Sequence, residues 1–305
     1  MTKTFYSNGK LLITGEYVVL DGAKAFALPT KFGQYLTVET GDNKTIAWKS
    51  YDADKSIWFE DIITFDSIVK KEHFGESSTI KNTLVEILHE AYLLHPDFIT
   101  HSNGYTIQTN LTFPKFWGLG TSSTLINNIA QWLEIDAFEL LKNSFGGSGY
   151  DIACAQHDSA ILYQLVEEKP VVETFNFNPT FVDKIHFVYL NKKQSSKKAI
   201  AAYYNKQGNI SKSIPTINKI TNAVINATEP KEFALELQKH EIEMSNILEM
   251  QTVKESLFHD FDGVIKSLGA WGGDFVLVIS KQDPTDYFKE RGYSIVVPYK
   301  TMILG

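Results

Sequence analysis

The chain has a single cysteine, Cys154, so no disulfide can close within it, and a reducing compartment suits it. No apolar run approaches the length of a membrane span. The opening "MTKTFYSNGK" lacks the apolar stretch of a signal peptide, and the expectation is a cytoplasmic protein. Positive charge is scarce: 29 lysines and arginines face 36 aspartates and glutamates, a net charge of −7. That balance argues against broad binding to nucleic acid or to a membrane surface. The eight histidines show no metal-ligand spacing, and "HEIEM" lacks the second histidine of a zinc hydrolase, so a metalloenzyme is disfavoured. Internal repeats and low-complexity linkers are missing too.

What is present is an ordinary globular composition, 43% hydrophobic and 21% charged over 305 residues, enough for two packed domains or one large one. "GKLLITGEYVVLDG" reads as two short strands joined by a turn and closed by Asp21-Gly22. Residues 33–75 read as a strand meander. In "SSTIKNTLVEILHEAYLL" Leu84, Ile87, Leu88 and Ala91 share a helical face, and Ser78 can cap the helix. "GYTIQTNLTF" alternates like a strand; Leu125, Ile126, Ile129, Ala130 and Leu133 then form a second helical stripe. "KIHFVYL" is a strand, with helical patterns over 196–206, 212–226, 231–249 and 253–267. "GDFVLVIS", a helix near 284–290 and "YSIVVP" follow. Strands and helices mix without strict alternation, which favours an α+β fold. A soft domain boundary falls near 168–183, giving domains over 1–175 and 176–305.

Three glycine-rich segments stand out. In "FPKFWGLGTSSTL" glycines precede a helical pattern, and Thr121, Ser122 and Ser123 follow at once. A helix start offers unpaired N–H groups and the positive end of the dipole. Glycines let such a backbone curl around an anion, and hydroxyls can bind phosphate or magnesium. The same residues also read as a tight turn with Ser122 as N-cap. The segment is not a Walker A loop, having no Gly-Lys-Ser/Thr, and it lacks the third glycine of a dinucleotide fingerprint. "GGSGYDIA" places Asp151 after Gly146, Gly147 and Gly149 at a helix start. An aspartate there suits handling of an acceptor proton in phosphoryl transfer, or simple capping. "SLGAWGGDFVLV" gathers Gly269, Gly272 and Gly273 before an apolar strand, for ligand approach or for a helix stop. Ser195 and Ser196, with Lys192, Lys193, Lys197 and Lys198, make the most basic spot of an acidic chain, either an anion site or a solvated helix start.

In this order the segments resemble the motifs of the galactokinase, homoserine, mevalonate and phosphomevalonate (GHMP) kinase superfamily. "GKLLITGEYVVLDGAKAFALP" is similar to its first motif, "PKFWGLGTSS" to its phosphate-binding loop and "GAWGGD" to its third. "GSGYDIA" looks most like the phosphomevalonate and mevalonate kinases. The resemblance implies a two-domain α+β fold with the active cleft between domains. It implies an ATP- and Mg²⁺-dependent kinase acting on a small molecule, phosphomevalonate or mevalonate, as monomer or homodimer. It implies nucleotide contacts at Trp117, Gly118, Leu119, Gly120, Thr121, Ser122 and Ser123, with Ser122 also on the metal. Asp151 would be the catalytic aspartate and Lys10 the lysine paired with it, keeping it ionised and steadying phosphoryl charge. Glu16, Ser148, Gly149, Ser195, Ser196, Lys197, Gly272 and Gly273 would meet substrate.

There are departures. Only 29 residues separate Ser122 from Asp151, about half the spacing in mevalonate kinases, so a stretch bearing a metal-binding glutamate is missing. Glu139 is the nearest replacement, one position off. Tyr150 stands for a phenylalanine, and Trp271 for a glycine, where an indole either covers the nucleotide or packs into its domain; the expectation is that it shapes nucleotide access. Two other readings are a mevalonate diphosphate decarboxylase of the same superfamily and a nucleotide-binding member without turnover.

Overall fold

The computed structural model describes residues 2–76, 79–192, 196–205 and 210–305, and the side chains of these except 196–199 and 202. Ser78, the expected cap, lies outside them. The chain is an α+β protein, and among the described residues it has two sheets, of seven and four strands. Its contacts divide it into two units, one of Met1–Gly9, Phe32–Lys115 and Leu119–Gln156, the other of Lys10–Lys31, Phe116–Gly118 and His157–Gly305. Strands β1 (Lys3–Thr14) and β2 (Ala25–Thr40) run from one unit into the other.

The first unit adds β3 (Thr45–Tyr51), β4 (Ile57–Thr64), α1 (Phe65–Val69), α2 (Thr79–Leu94), α3 (Asp97–Thr100), β5 (Gly104–Leu111), α4 (Thr121–Leu133), α5 (Ala137–Ser144) and α6 (Tyr150–Gln156). Its strands run in the order β4-β3-β5-β2, with β3 and β5 parallel and the other neighbours antiparallel. Side chains alternate across a strand, so Leu36 and Val38, Ile46 and Trp48, and Ile107 reach one face. Leu84 and Leu88 of α2, Ile126 and Ile129 of α4 and Ile152 of α6 cover that face. Each such aliphatic burial contributes about 1.5–3 kcal/mol. The apolar stripes legible in α2 and α4 are these faces: Leu84, Ile87, Leu88, Ala91, Ile126, Ile129, Ala130 and Leu133 are all buried, and Leu125 is half-buried.

The second unit adds β6 (Ala160–Val166), β7 (Lys169–Phe175), β8 (Ile185–Tyr189), α7 (Ser196–Asn205), α8 (Ile210–Asn226), α9 (Pro230–Leu248), α10 (Val253–Leu257), β9 (Val264–Ser267), β10 (Phe275–Ile279), α11 (Thr285–Glu290), β11 (Val296–Pro298) and α12 (Tyr299–Met302). The β6–β7 hairpin pairs with the first half of β2 through Ala25–Ala27. The four-stranded sheet runs β11-β8-β10-β9, all antiparallel. Phe258, Phe261 and Phe288 pack with Val188, Val276 and Val278 of its strands.

Three expectations need correction. Residues 33–75 are not a strand meander: β5 stands between β2 and β3, and Phe65–Val69 is the helix α1. Residues 253–267 are not one helix. A Thr252–Glu255 capping box starts α10, which ends at Leu257, and β-branched Val264 and Ile265 pair with β10 as a strand. "YVVL" is not a strand either. Tyr17 takes φ 62°, the chain folds into a 3₁₀ turn over Val18–Asp21, and Gly22 at φ 84° stops it. Among the described residues no helix is long and apolar enough to cross a membrane.

Candidate functional site

The first glycine-rich segment ends in the start of α4, and buried amides hold that helix. Within the first unit Ser7 Oγ donates to Asn128 Oδ1 at 2.8 Å, and Asn127 Nδ2 donates to Ser7 Oγ at 2.8 Å. Asn128 Nδ2 donates to the Gln34 carbonyl at 2.9 Å, and Thr124 Oγ1 to Gln34 Oε1 at 2.8 Å. A polar network so fully satisfied fixes the helix on β1 and β2. The N-cap is Gly120, at φ 101°, and no side chain caps the helix. Ser122 is therefore not the cap; it is exposed. Ser123 is buried and donates back to the Gly120 carbonyl at 2.9 Å. Thr121 is half-buried and Leu119 fully buried. The first N–H groups of α4 have no intrahelical acceptor, and this end is electrostatically suited to an anion.

The preceding residues, 116–118, belong to the second unit. Tyr189 Oη donates to the Phe116 carbonyl at 3.1 Å, and Trp117 meets Phe275 edge-on at 5.3 Å. Lys10 Nζ donates to the Gly118 carbonyl at 3.4 Å. Gly118 has φ 69°, and a Cβ there would lie 2.4 Å from Asp274 Oδ2. Positive φ favours glycine, and any Cβ would force the Asp274 carboxylate to shift.

The second glycine segment enters α6 through Gly146, Gly147 and Gly149 at φ 69°, 104° and 90°. A Cβ at Gly146 or Gly147 would meet nothing within 4 Å. Asp151, half-buried, lies in the first turn of α6, where Oδ1 accepts from the Ile152 N–H at 3.2 Å. Ser148 is half-buried and Gly149 buried beside it. Gln156 Nε2 donates to Asn127 Oδ1 at 3.0 Å, tying α6 to α4.

No family model matches the chain, and no curated protein does. Solved structures do. The mevalonate kinase of Methanococcus jannaschii matches with a TM-score of 0.67 at 14% identity, over 97% of this chain and 96% of that one. The phosphomevalonate kinase of Streptococcus pneumoniae, in complex with phosphomevalonate and AMPPNP, gives 0.66 at 16% identity over 95% of each chain. Lactococcus lactis galactokinase, complexed with galactose, gives 0.63 at 12% identity, over 95% of this chain and 88% of that one. The chain has the GHMP-kinase fold. The three names differ in phosphoryl acceptor.

Two residues from segments that resemble GHMP-kinase motifs, Glu16 and Trp271, sit in the interior of the second unit. The Glu16 side chain is 3% exposed and pairs with Lys266 Nζ at 2.7 Å. Lys266 also lies 3.5 Å from Glu241, whose carboxylate accepts from the Ser267 N–H and hydroxyl at 3.0 and 2.7 Å. His240 Nε2 accepts from the Gly15 N–H at 2.8 Å, and burial, with Lys266 nearby, holds the imidazole neutral. Burial pushes the Glu16 carboxyl up to about 7 despite the lysine. Two carboxylates sharing one ammonium in the interior favour keeping one proton. Trp271 packs into its domain: it is buried against Tyr17, Tyr203, Met244 and Leu248, and its Nε1 donates to the Gln251 carbonyl at 3.0 Å. An indole needs such a partner and such a volume when buried.

Of the basic cluster, Ser195 and Lys193 lie outside the described residues, as do the side chains of Ser196, Lys197 and Lys198. Lys192 is exposed, and its carbonyl accepts from the Asp274 N–H at 2.7 Å. Glu139 is exposed on α5, its N–H capped by Asp136. Among the described residues no three acidic, histidine or cysteine side chains form a metal-holding group. Sequence reading missed Asp274, Tyr189 and the Lys266 cluster. The available signal was a lysine within the apolar run "VIKSL".

Proposed function

We propose that the chain is an ATP-dependent small-molecule kinase that transfers a γ-phosphoryl group to a mevalonate-like acid, phosphomevalonate or mevalonate. The observation that carries this reading is the start of α4, uncapped by any side chain and led by left-handed glycines 118 and 120, on a fold shared with such kinases. In this reading the N–H groups of Thr121, Ser122 and Ser123 receive nucleotide phosphate. The Ser122 hydroxyl would hold a magnesium ion, which when bound offsets phosphate charge. Lys10 supplies positive charge for the transferred group. Asp151 takes or orients the proton of the acceptor oxygen as its bond to phosphorus forms and the bond from phosphorus to ADP breaks. Ser148, Gly149, Gly272 and Gly273 line the acceptor, and Lys192 with its neighbours attracts its negative groups. The supports for an acid rather than a sugar are this lysine cluster and the "GSGYDIA" segment.

The test is ADP release with mevalonate, phosphomevalonate, homoserine and galactose in turn. The expected outcome is stoichiometric ADP with one of the two mevalonate acids. ATP binding without ADP release from any acceptor would defeat the reading, and release of carbon dioxide from mevalonate diphosphate would replace it with a decarboxylase.

A further inference from the structure

Residues 15–18 make a bend that is costly for the residues in it. Tyr17 sits at φ 62°, ψ −53°, and the Val18 N–H donates to the Glu16 carbonyl at 2.7 Å. This is the positive-φ γ-turn, a rare and strained form. A side chain with a Cβ is disfavoured there, yet the residue is tyrosine. Contacts within the second unit hold the bend in place. Gly15 is tied to His240, Glu16 to Lys266, and the Trp271 N–H donates to Tyr17 Oη at 2.8 Å. Tyr203 stacks on the Tyr17 ring at 5.6 Å, and its own hydroxyl donates to Asp21 at 2.6 Å. The ring is thereby walled in, with its hydroxyl at the Trp271 amide.

The glycine turn around Trp271 has little of its own to fix it. Gly269 and Gly272 take φ 68° and 72°, and a Cβ on either would meet nothing within 4 Å. Its internal N–H bond runs from Gly273 to the Ala270 carbonyl at 3.2 Å. Trp271 lies inside the turn, so one of the contacts that hold the strained bend also fastens this turn.

We propose that Tyr17 is a positioning residue: its strained backbone aims the hydroxyl at the Trp271 N–H, and that bond sets the shape in which the turn 269–273 receives the phosphoryl acceptor. The acceptor half of this inference rests on the kinase reading above. Tyr17→Phe keeps the ring and its stacking and removes only the acceptor oxygen. Amide hydrogen exchange in the peptide spanning 268–274 should speed up roughly tenfold, as a buried N–H loses its partner, while α9 and β10 stay protected. The Michaelis constant for the acceptor should rise roughly tenfold with kcat changed less than about twofold, the pattern of lost binding rather than lost chemistry. Tyr204→Phe, on an exposed neighbouring ring, should change neither. Unchanged exchange in 268–274 would overturn the proposal, and so would a lower melting temperature with the acceptor Michaelis constant unmoved. If the unsubstituted chain turned over no acceptor, the kinase reading would fall. The exchange rate at Trp271 would then decide the positioning role alone, loss of protection upholding it and retention overturning it.

Discussion

The carboxylate of Asp274 occupies the space that a Cβ on residue 118 would need, with Oδ2 only 2.4 Å from that position. The third glycine motif therefore limits what residue 118 of the first can be, within one unit. Gly118→Ala should destabilise the protein by about 2 kcal/mol or more, adding left-handed strain to the clash. ATP affinity should fall with it. Adding Asp274→Ala removes the clash and leaves the strain, so it should restore part of the stability. Urea melts and ATP titration of both variants check this; a single variant as stable as the parent would show that the loop shifts freely.

Ser122 and Asp151 should separate binding from chemistry. Ser122 is exposed and caps nothing, so Ser122→Ala should alter stability by less than about 0.5 kcal/mol while weakening magnesium and ATP affinity. Asp151→Asn should leave ATP affinity nearly intact and cut turnover by a factor on the order of 10²–10⁴. Isothermal titration beside steady-state rates reads both. Near-normal turnover in Asp151→Asn would remove that residue from the mechanism.

The α+β class and the main helices were legible because long amphipathic patterns carry a period; α2, α4, α8 and α9 lie where the apolar spacing put them. What failed was short or bent. β9 has four residues, too few to show alternation, so the run after α10 read as more helix. "YVVL" has the composition of a strand, and its turn exists because tertiary anchors on Glu16 and Tyr17 outweigh that preference. The partners of Gly118 and Trp271 could not be read at all: Asp274 and Tyr17 are 156 and 254 positions away in the chain.

The buried cluster around Glu16 makes stability depend on pH. Its carboxyl, ordinarily near 4.5, is held at about 7 by burial, so the folded protein keeps a proton that the unfolded chain gives up. The contribution is fully present below pH 4.5 and is lost as pH rises through 7. The gap corresponds to about 3 kcal/mol. The expected profile is a fall in the urea midpoint from pH 5 to pH 8. Glu16→Gln, neutral throughout, should flatten it. An equally steep fall in that variant would place the titrating group elsewhere.

Tryptophan fluorescence should report on nucleotide through Trp117 and not through Trp271. Trp117 is half-buried in the segment leading to α4, one ring against Phe275. Trp271 is 7% exposed, with its indole N–H on the Gln251 carbonyl and its backbone N–H on Tyr17. An anion arriving at the start of α4 alters the field at Trp117, which neighbours the left-handed Gly118. The interior around Trp271 is packed and has no reason to change. Trp117→Phe should therefore abolish most of the signal produced by Mg-ATP. Trp271→Phe should keep that signal and instead lower stability by about 1–3 kcal/mol, through the lost N–H bond and the smaller ring. If the Mg-ATP signal vanished only in Trp271→Phe, nucleotide binding would have to rearrange the core of the second unit, and the start of α4 would not be where the phosphates rest.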